Sequence, residues 1–466
     1  MQRSIRLNRR DSLTNLVWIG ALATAWLAIP AVAAGDTPSM AQFIKMRWPS
    51  SGTLTVDGSF YYVHNPDGLY QLYRRMPDSE KAKKLTDFPD GMSGYRTAPD
   101  GKWIVVAAAA GGSEQDDLHL LDTSTNQLAP LFVDSETVFG SVLWKRDSSG
   151  FAYRANKENK SDFNVYIHDL ATGKSRRVMD RAGYYYPVDF NATGDKLVVG
   201  KYNSASHSQL FEIDLHDLAT REITPADEAW SFDGAGYTPD EKHFLAVTNY
   251  RGDLSNLRTI DLASGAIAPF APELDRYEID GAGFNHERDV LAILANEDGY
   301  RTLHLRAMPE NQPLPTPKMG KGLVGNVNFC KADMLFSLTN ANTPGIIYRW
   351  SRKTPDQAPV PLTEADTQGI DVSKFSLPKL IKYKSFDGLE VPAFCIPRPG
   401  TPRARRSRSS CRITAGRKGN IARGFPDRFS IFSPGGSACS RPTCAAAAAT
   451  ARNTWKWTTT SCAWTA

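Results

Sequence analysis

Among the side chains suited to proton transfer or metal binding, the eight histidines come first: His64, His119, His168, His207, His216, His243, His286 and His304. A general base needs a nucleophile or proton donor within hydrogen-bond reach, and a helical metal pair needs two ligands one turn apart. No two of these histidines stand four residues apart, and none adjoins an evident nucleophile, so core or surface roles are expected. Of six cysteines, four (Cys411, Cys439, Cys444, Cys462) fall in the last 66 residues, leaving Cys330 and Cys395 in the body, with no CxxC pair. That pattern supports neither a zinc site nor a disulfide framework. Tyr184-Tyr185-Tyr186 can line a tunnel or pack strands, and packing is favoured. The carboxylate pair Asp116-Asp117 is expected in a solvated loop. Arg96 and Arg251 are candidates to face a substrate carboxylate, although sequence does not orient them. No catalytic, cofactor-binding or metal residue is assigned, and no cofactor is expected.

The elements that would position any site come from a repeat. Ala98-Pro99-Asp100-Gly101-Lys102 is a turn signal followed at once by the apolar run Trp103-Ile104-Val105-Val106. The same grammar recurs before Phe60, Phe151, Leu197, Phe244, Val290 and Met334. Taking positions 57, 100, 147, 193, 240, 287 and 333 as equivalent, the steps are 43, 47, 46, 47, 47 and 46 residues. Each copy continues into an alternating strand closing on an acid, as in Leu118–Asp122, Val165–Asp169, Leu210–Asp214 and Leu257–Asp261. Period-two alternation places one side-chain set toward a core. Seven copies of four short strands predict an all-β, seven-bladed β-propeller, because a single blade cannot cover both its faces. A β-sandwich does not account for the constant step.

The turn motif resembles the TolB-like propeller repeat over residues 50–350, which implies the fold and leaves function open.

Charge and termini bound the rest. Residues 401–466 carry ten Arg, two Lys and one Asp, a net of +11 within a total of +5, so the preceding 400 residues are mildly acidic at −6. No body segment joins clustered basic residues to a nucleic-acid reading motif. Arg3, Arg6, Arg9 and Arg10, the apolar run Leu16 to Ile29, and Ala31-Val32-Ala33 form the three parts of a secretory signal. Residues 1–33 are therefore expected to be a cleaved signal peptide, with the remainder exported to a periplasmic location and not held in a membrane.

After the expected propeller (34–353) and a polar, Pro-containing linker (354–380), two strand-like halves flank Asp387-Gly388, a hairpin signal. The segment Ser385-Phe386-Asp387-Gly388 is similar to the hairpin that opens the α/β-hydrolase domain of the prolyl oligopeptidase family. The order propeller, linker, hairpin is also that family's. The resemblance implies a serine peptidase acting on short peptides, with a Gly-x-Ser-x-Gly elbow, an Asp and a His after residue 381. None appears. Gly435-Gly436-Ser437-Ala438-Cys439 comes nearest to the elbow, and the last histidine is His304. Residues 401–466 also lack Leu and Val, although a hydrolase sheet needs such runs. Reading that stretch one frame over permits text such as HHGGPEGQ and NVRGSSGYG, which resembles the start of the family's hydrolase domain. A frameshift between Phe394 and Arg405 is therefore expected, with 381–400 as the true start of the hydrolase and 401–466 as a disordered, non-native tail. The chain as written is expected to be inactive. The rival reading is a non-enzymatic TolB-like propeller that docks a peptide or protein.

Overall fold

The computed structural model describes residues 37–396, apart from Asp387 and Leu389. The expected signal segment and tail lie outside the described residues.

The seven turn copies become the seven points where an inner strand folds back on its neighbour. The residue at the apex takes a left-handed conformation in every copy: Gly58, Gly101, Ser148, Gly194, Glu241, Arg288 and Lys331, with φ between 52° and 81°. An Asp or Asn in the turn closes it by accepting local N–H groups. Asp57 Oδ1 takes Ser59 N at 3.0 Å, Asp100 Oδ1 takes Lys102 N at 3.0 Å, and Asn285 Oδ1 takes Val290 N at 3.0 Å. The seventh copy corrects the sequence register. Its apex is Lys331, in a two-residue turn between paired Cys330 and Asp333, so Asp333 opens the next strand instead of capping the turn.

Each turn leads into a four-stranded antiparallel meander. Among the described residues there are five separate four-stranded sheets, one eight-stranded sheet and, after them in the chain, one two-stranded sheet. The larger sheet is two meanders joined by one parallel pair, Arg301 with Leu323. Seven consecutive units result, spanning residues 50–84, 94–132, 139–179, 184–222, 232–269, 278–314 and 323–361. The sequence-read strands sit where expected, usually extended by one to three residues, as in Asp116–Asp122 for Leu118–Asp122 and His207–Asp214 for Leu210–Asp214. Asp116 and Asp117 thus begin a strand rather than lying in a loop. The expected linker from 354 contains the last short strand, Val360–Pro361, which pairs with Tyr348 and Arg349.

The core lies between sheets. Units one and two share Tyr61, Val63, Tyr95, Ile104 and Val106. Units two and three share Val105, Leu118, Trp144, Phe151 and Tyr153. The series continues through each neighbouring pair and returns to its start, where Leu335 and Ile347 of unit seven pack on Leu54 and Phe60 of unit one. The ring therefore closes by burying both faces of every sheet, the β-propeller solution to the problem of half-covered sheets. Among the described residues no strand is exchanged at the closure. Arg47 and Asp366 instead pair there through two backbone hydrogen bonds of 2.9 and 2.8 Å, and Arg75 donates to Leu362 O at 2.7 Å.

A second, small body comprises the helix Met40–Lys45 and residues 367–370. Ser39 and Gln42 form a capping box on that helix, and Gln42 Nε2 donates to Gln368 O at 3.1 Å. Among the described residues, no helix is long and apolar enough to cross a membrane.

Candidate functional site: the axial channel and the docked hairpin

The first strand of units one to six lies at the edge of its sheet, and that of unit seven is free except where Leu323 pairs with Arg301; in a propeller this innermost strand borders the central channel. Both faces of each sheet are covered by neighbours, so an exposed residue midway along an inner strand must face the channel. Ser51, Arg96, Ser141, Asp233 and Asn326 are such residues. Register shifts interrupt six of the seven inner strands, at Ser50/Thr53, opposite Ala152/Arg154, and at Pro187/Asp189, Gly234/Gly236, Ile279/Gly281 and Gly325/Asn328. A bulge of this kind re-aims a side chain without breaking the sheet.

Two candidates from the sequence meet this channel differently. Arg96, on Gly94–Thr97, is exposed to it and donates to its neighbour's carbonyl, Tyr95 O, at 2.9 Å. Arg251 lies in the turn after the second strand of unit five, with its guanidinium 5.0 Å from the Tyr250 ring. The tyrosine triplet divides. Tyr185 is buried against Phe211, and Tyr184 packs on Phe163 with Arg154 over its ring at 4.6 Å. Tyr186 covers Gly200, where a Cβ would stand 2.4 Å from its Cζ. Burial, together with the nearby Asp233 carboxylate, pushes the Tyr186 phenol up to about 12. Asp233 is open to the channel yet hemmed by wall atoms, and this loss of solvation raises its carboxyl above the usual range. Nothing in the sequence singled out Asp233.

The histidines remain scattered. His168 Nδ1 lies 3.1 Å from Ser175 Oγ, a contact that sequence reading missed. It is no catalytic pair, because the imidazole is sandwiched between Phe132 and Phe151 and burial lowers its pKa. His304 Nε2 meets Glu297 Oε1 at 2.7 Å with no hydroxyl or thiol nucleophile in that contact. Among the described residues, no group of three or more His, Cys, Asp or Glu is placed to hold a metal ion. Neither Cys330 nor Cys395 is in a disulfide.

The sequence-read hairpin forms from Lys379–Lys384 and Glu390–Cys395, paired in unbroken register from Lys379–Cys395 to Lys384–Glu390. It docks on the turn that joins the second and third strands of unit six. Phe394 meets Tyr300 edge-on at 5.1 Å and lies against Gly299, where a Cβ would stand 2.8 Å from its ring. Tyr300 donates to Pro378 O at 3.3 Å, and Lys382 Nζ sits 3.1 Å from Asp298 Oδ2. The bond to Asp298 holds the Lys382 ammonium above its ordinary range.

The family profile for the prolyl oligopeptidase N-terminal β-propeller domain matches residues 54–362. The chain belongs to the prolyl oligopeptidase family. It is 22% identical over 396 residues to the dual function macrocyclase-peptidase POPB of Amanita bisporigera, covering 74% of this chain and 54% of that protein. It is 20% identical over 357 residues to prolyl oligopeptidase A of the same organism, covering 67% of this chain and 46% of that protein. The chain thus spans about half the length of these curated relatives. A solved prolyl endopeptidase superposes with a TM-score of 0.64 at 18% identity, over 84% of this chain and 61% of its own. Apo prolyl oligopeptidase B from Galerina marginata gives 0.62 at 19% identity, over 78% and 57%. At these identities the structures establish the fold. The prolyl oligopeptidase propeller accounts for the succession of four-stranded sheets, and the docked hairpin follows it in the chain.

Proposed function

We propose that the chain is the propeller portion of an exported serine-type peptidase of the prolyl oligopeptidase family, acting on short peptides. The eight-stranded sheet counts as two blades, which makes seven. The observation that carries this reading is the hairpin. Directly after a propeller of this family, Lys379–Cys395 folds as the paired element expected to open a hydrolase domain and is anchored on unit six through Phe394, Tyr300 and Lys382. A non-enzymatic docking propeller has no need of it. Chemistry in the intact enzyme requires a serine to attack the peptide carbonyl, a histidine to take its proton and an aspartate to orient that histidine. None of the described side chains forms that set, so the 466-residue chain is proposed to bind without turnover. Residues 401–466 are proposed to be shifted-frame text replacing the hydrolase, and residues 1–33 to direct export to the periplasm.

The coding DNA tests the frame. Read one frame over and beyond codon 466, it should encode a Gly-x-Ser-x-Gly elbow followed by Asp and His. A protein made with the frame restored should hydrolyse short peptides, and replacing the elbow serine should abolish that activity. An unrelated frame downstream, or turnover by the uncorrected chain, would overturn the proposal.

A further inference from the structure

At the end of the ring where the hairpin docks, the half-buried cation Arg154 has no anion paired with it among the described residues. Arg154 is the last residue but one of Gly150–Ala155, the second strand of unit three. Glu297 ends the corresponding strand of unit six, Val290–Glu297, and the turn after it seats the hairpin through Gly299 and Tyr300. Arg154 therefore stands at that same end of the ring.

Its surroundings fix the guanidinium without neutralising it. The Arg154 Cζ lies 4.6 Å from the centre of the Tyr184 ring and 5.3 Å from that of Phe163, and the two rings pack 4.7 Å apart. Arg154 pairs across the sheet with Gly140 of the inner strand, where a Cβ would stand 3.4 Å from Nε, so the side chain lies close over bare backbone. The Nε is buried there and bonds to nothing. Among the described residues the two terminal nitrogens have no acceptor either, yet they are not sealed from solvent. Arg306 and Arg352 show the usual arrangement. Each also buries an unbonded Nε, but their terminal nitrogens meet Glu273 and, at 2.9 Å, Lys331 O. Burial lowers the Arg154 pKa from its ordinary value, and the Asp116 carboxylate, acting the other way from unit two, does not offset it. Asp116 forms no ion pair with Arg154 and accepts instead from Ser93 Oγ.

A guanidinium stacked on aromatic rings presents a planar fork of N–H donors, and a carboxylate matches that fork with two parallel hydrogen bonds. Beside it, Tyr202 is 49% exposed and meets Tyr184 edge-on at 6.1 Å, which extends an aromatic surface away from the cation. We propose that Arg154 anchors a binding site for a small organic carboxylate, whose oxygens take the guanidinium fork and whose apolar part lies on Tyr184 and Tyr202. The ligand supplies the counter-charge that the fold withholds. Stacking on Tyr184 and Phe163 orders the guanidinium before the ligand arrives, so little side-chain freedom is lost on binding. The site stands independently of the peptidase reading, because its chemistry resides wholly in units three and four.

The test is calorimetric titration of the full 466-residue chain at low ionic strength, since salt screens a half-exposed charge. The probe is N-benzoylglycine, a carboxylate carrying an aromatic amide, with its neutral amide, acetate and inorganic phosphate as comparisons. Saturable binding of N-benzoylglycine is expected, weakened at least about tenfold by amidation of the probe and by Arg154→Gln. Arg154→Lys keeps the charge and loses the fork, and it too should weaken binding. Arg154→Gln removes no protein hydrogen bond, so the melting temperature should stay within about 2 °C. If it falls further, Tyr202→Ala decides in its place. That side chain is exposed, and its loss should weaken N-benzoylglycine while leaving acetate unchanged. Absence of saturable binding, affinity unchanged by Arg154→Gln in a folded protein or by Tyr202→Ala, or phosphate binding as tightly as N-benzoylglycine would overturn the site.

Discussion

Removing the Arg288 guanidinium should cost the ring more than removing any exposed charge. Arg288 is buried at the apex of the unit-six turn, and its NH2 meets both Asp189 oxygens at 2.5 and 2.6 Å. Its NH1 donates to Tyr237 O at 2.5 Å, while Tyr237 N donates to Asp189 Oδ2 at 2.9 Å. One side chain thus ties units four, five and six. Arg288→Ala leaves a buried carboxylate without its cation and the Tyr237 carbonyl without this donor. Breaking a buried pair in this way costs about 3–5 kcal/mol. At roughly 2 °C per kcal/mol for a body of this size, the melting temperature should fall by about 6–10 °C. The pH dependence fixes the mechanism. Burial already pushes the Asp189 carboxyl up to about 7, and losing the cation drives it higher. A raised carboxyl keeps a proton in the folded state that the unfolded chain gives up. Its penalty is therefore absent at low pH and grows as pH rises through the folded value. Calorimetry should find the deficit of Arg288→Ala larger at about pH 8.5 than at about pH 5.5, and Asp189→Asn in that background should recover part of it. A deficit under about 2 °C, or one equal at both pH values, would refute the reasoning.

Three further outcomes follow from the geometry. Gly236→Ala should destabilise comparably, since its Cβ would stand 2.8 Å from both Arg288 NH1 and Asp189 Oδ2 at a φ of +132°; a neutral melting curve would contradict this. Phe394→Ala should release the hairpin from unit six, read as faster hydrogen exchange across Lys379–Lys384 with little change in propeller melting. Bonds from Ser124, Thr172 and Ser264 hold the Asp122, Asp169 and Asp261 carboxyls below the usual range. Their contribution is therefore present above the unfolded carboxylate pKa of about 3.9 and lost as pH falls below it, so melting temperature should decline on acidification past about pH 4.

The sequence made the ring legible because each unit repeats local chemistry that needs no partner to be recognised. Pro-Asp-Gly fixes a turn, alternation fixes a strand, and a constant step fixes the stacking. The hairpin was legible for the same reason, since Asp387-Gly388 and its flanking strands declare themselves within a few residues. The channel was not. Asp233 is one acid among many in the sequence, and only the bulge between Gly234 and Gly236 and the closure of the ring give it its surroundings. The seventh turn was misplaced by three residues because Asp333 supplied the expected letter while the chain turned earlier, at Lys331.

The apex residues show why the departures from the repeat matter more than the repeat itself. A left-handed apex suits glycine, and Gly58, Gly101 and Gly194 meet that requirement and do nothing else at the position. Ser148, Glu241 and Arg288 accept the same strained φ with a side chain attached, and each side chain reaches a neighbouring unit. Ser148 Oγ accepts Asp100 N at 3.1 Å, Glu241 accepts Ala192 N, and Arg288 holds Tyr237 and Asp189. The conformational strain, of order 1–3 kcal/mol for such a residue, is offset by hydrogen bonds that the glycine copies cannot make. Turn-to-turn bonds consequently join unit two to unit three and tie units four, five and six together, whereas units seven and one meet through Leu335, Ile347, Leu54 and Phe60, the Arg75–Leu362 bond and the short Arg47–Asp366 pairing. If the ring opens at all, it should open at that seam, between the first unit and the last. Hydrogen exchange of the Arg47 and Asp366 amides should then be faster than that of Tyr237, and the reverse order would show that the lacing does not govern where the ring yields.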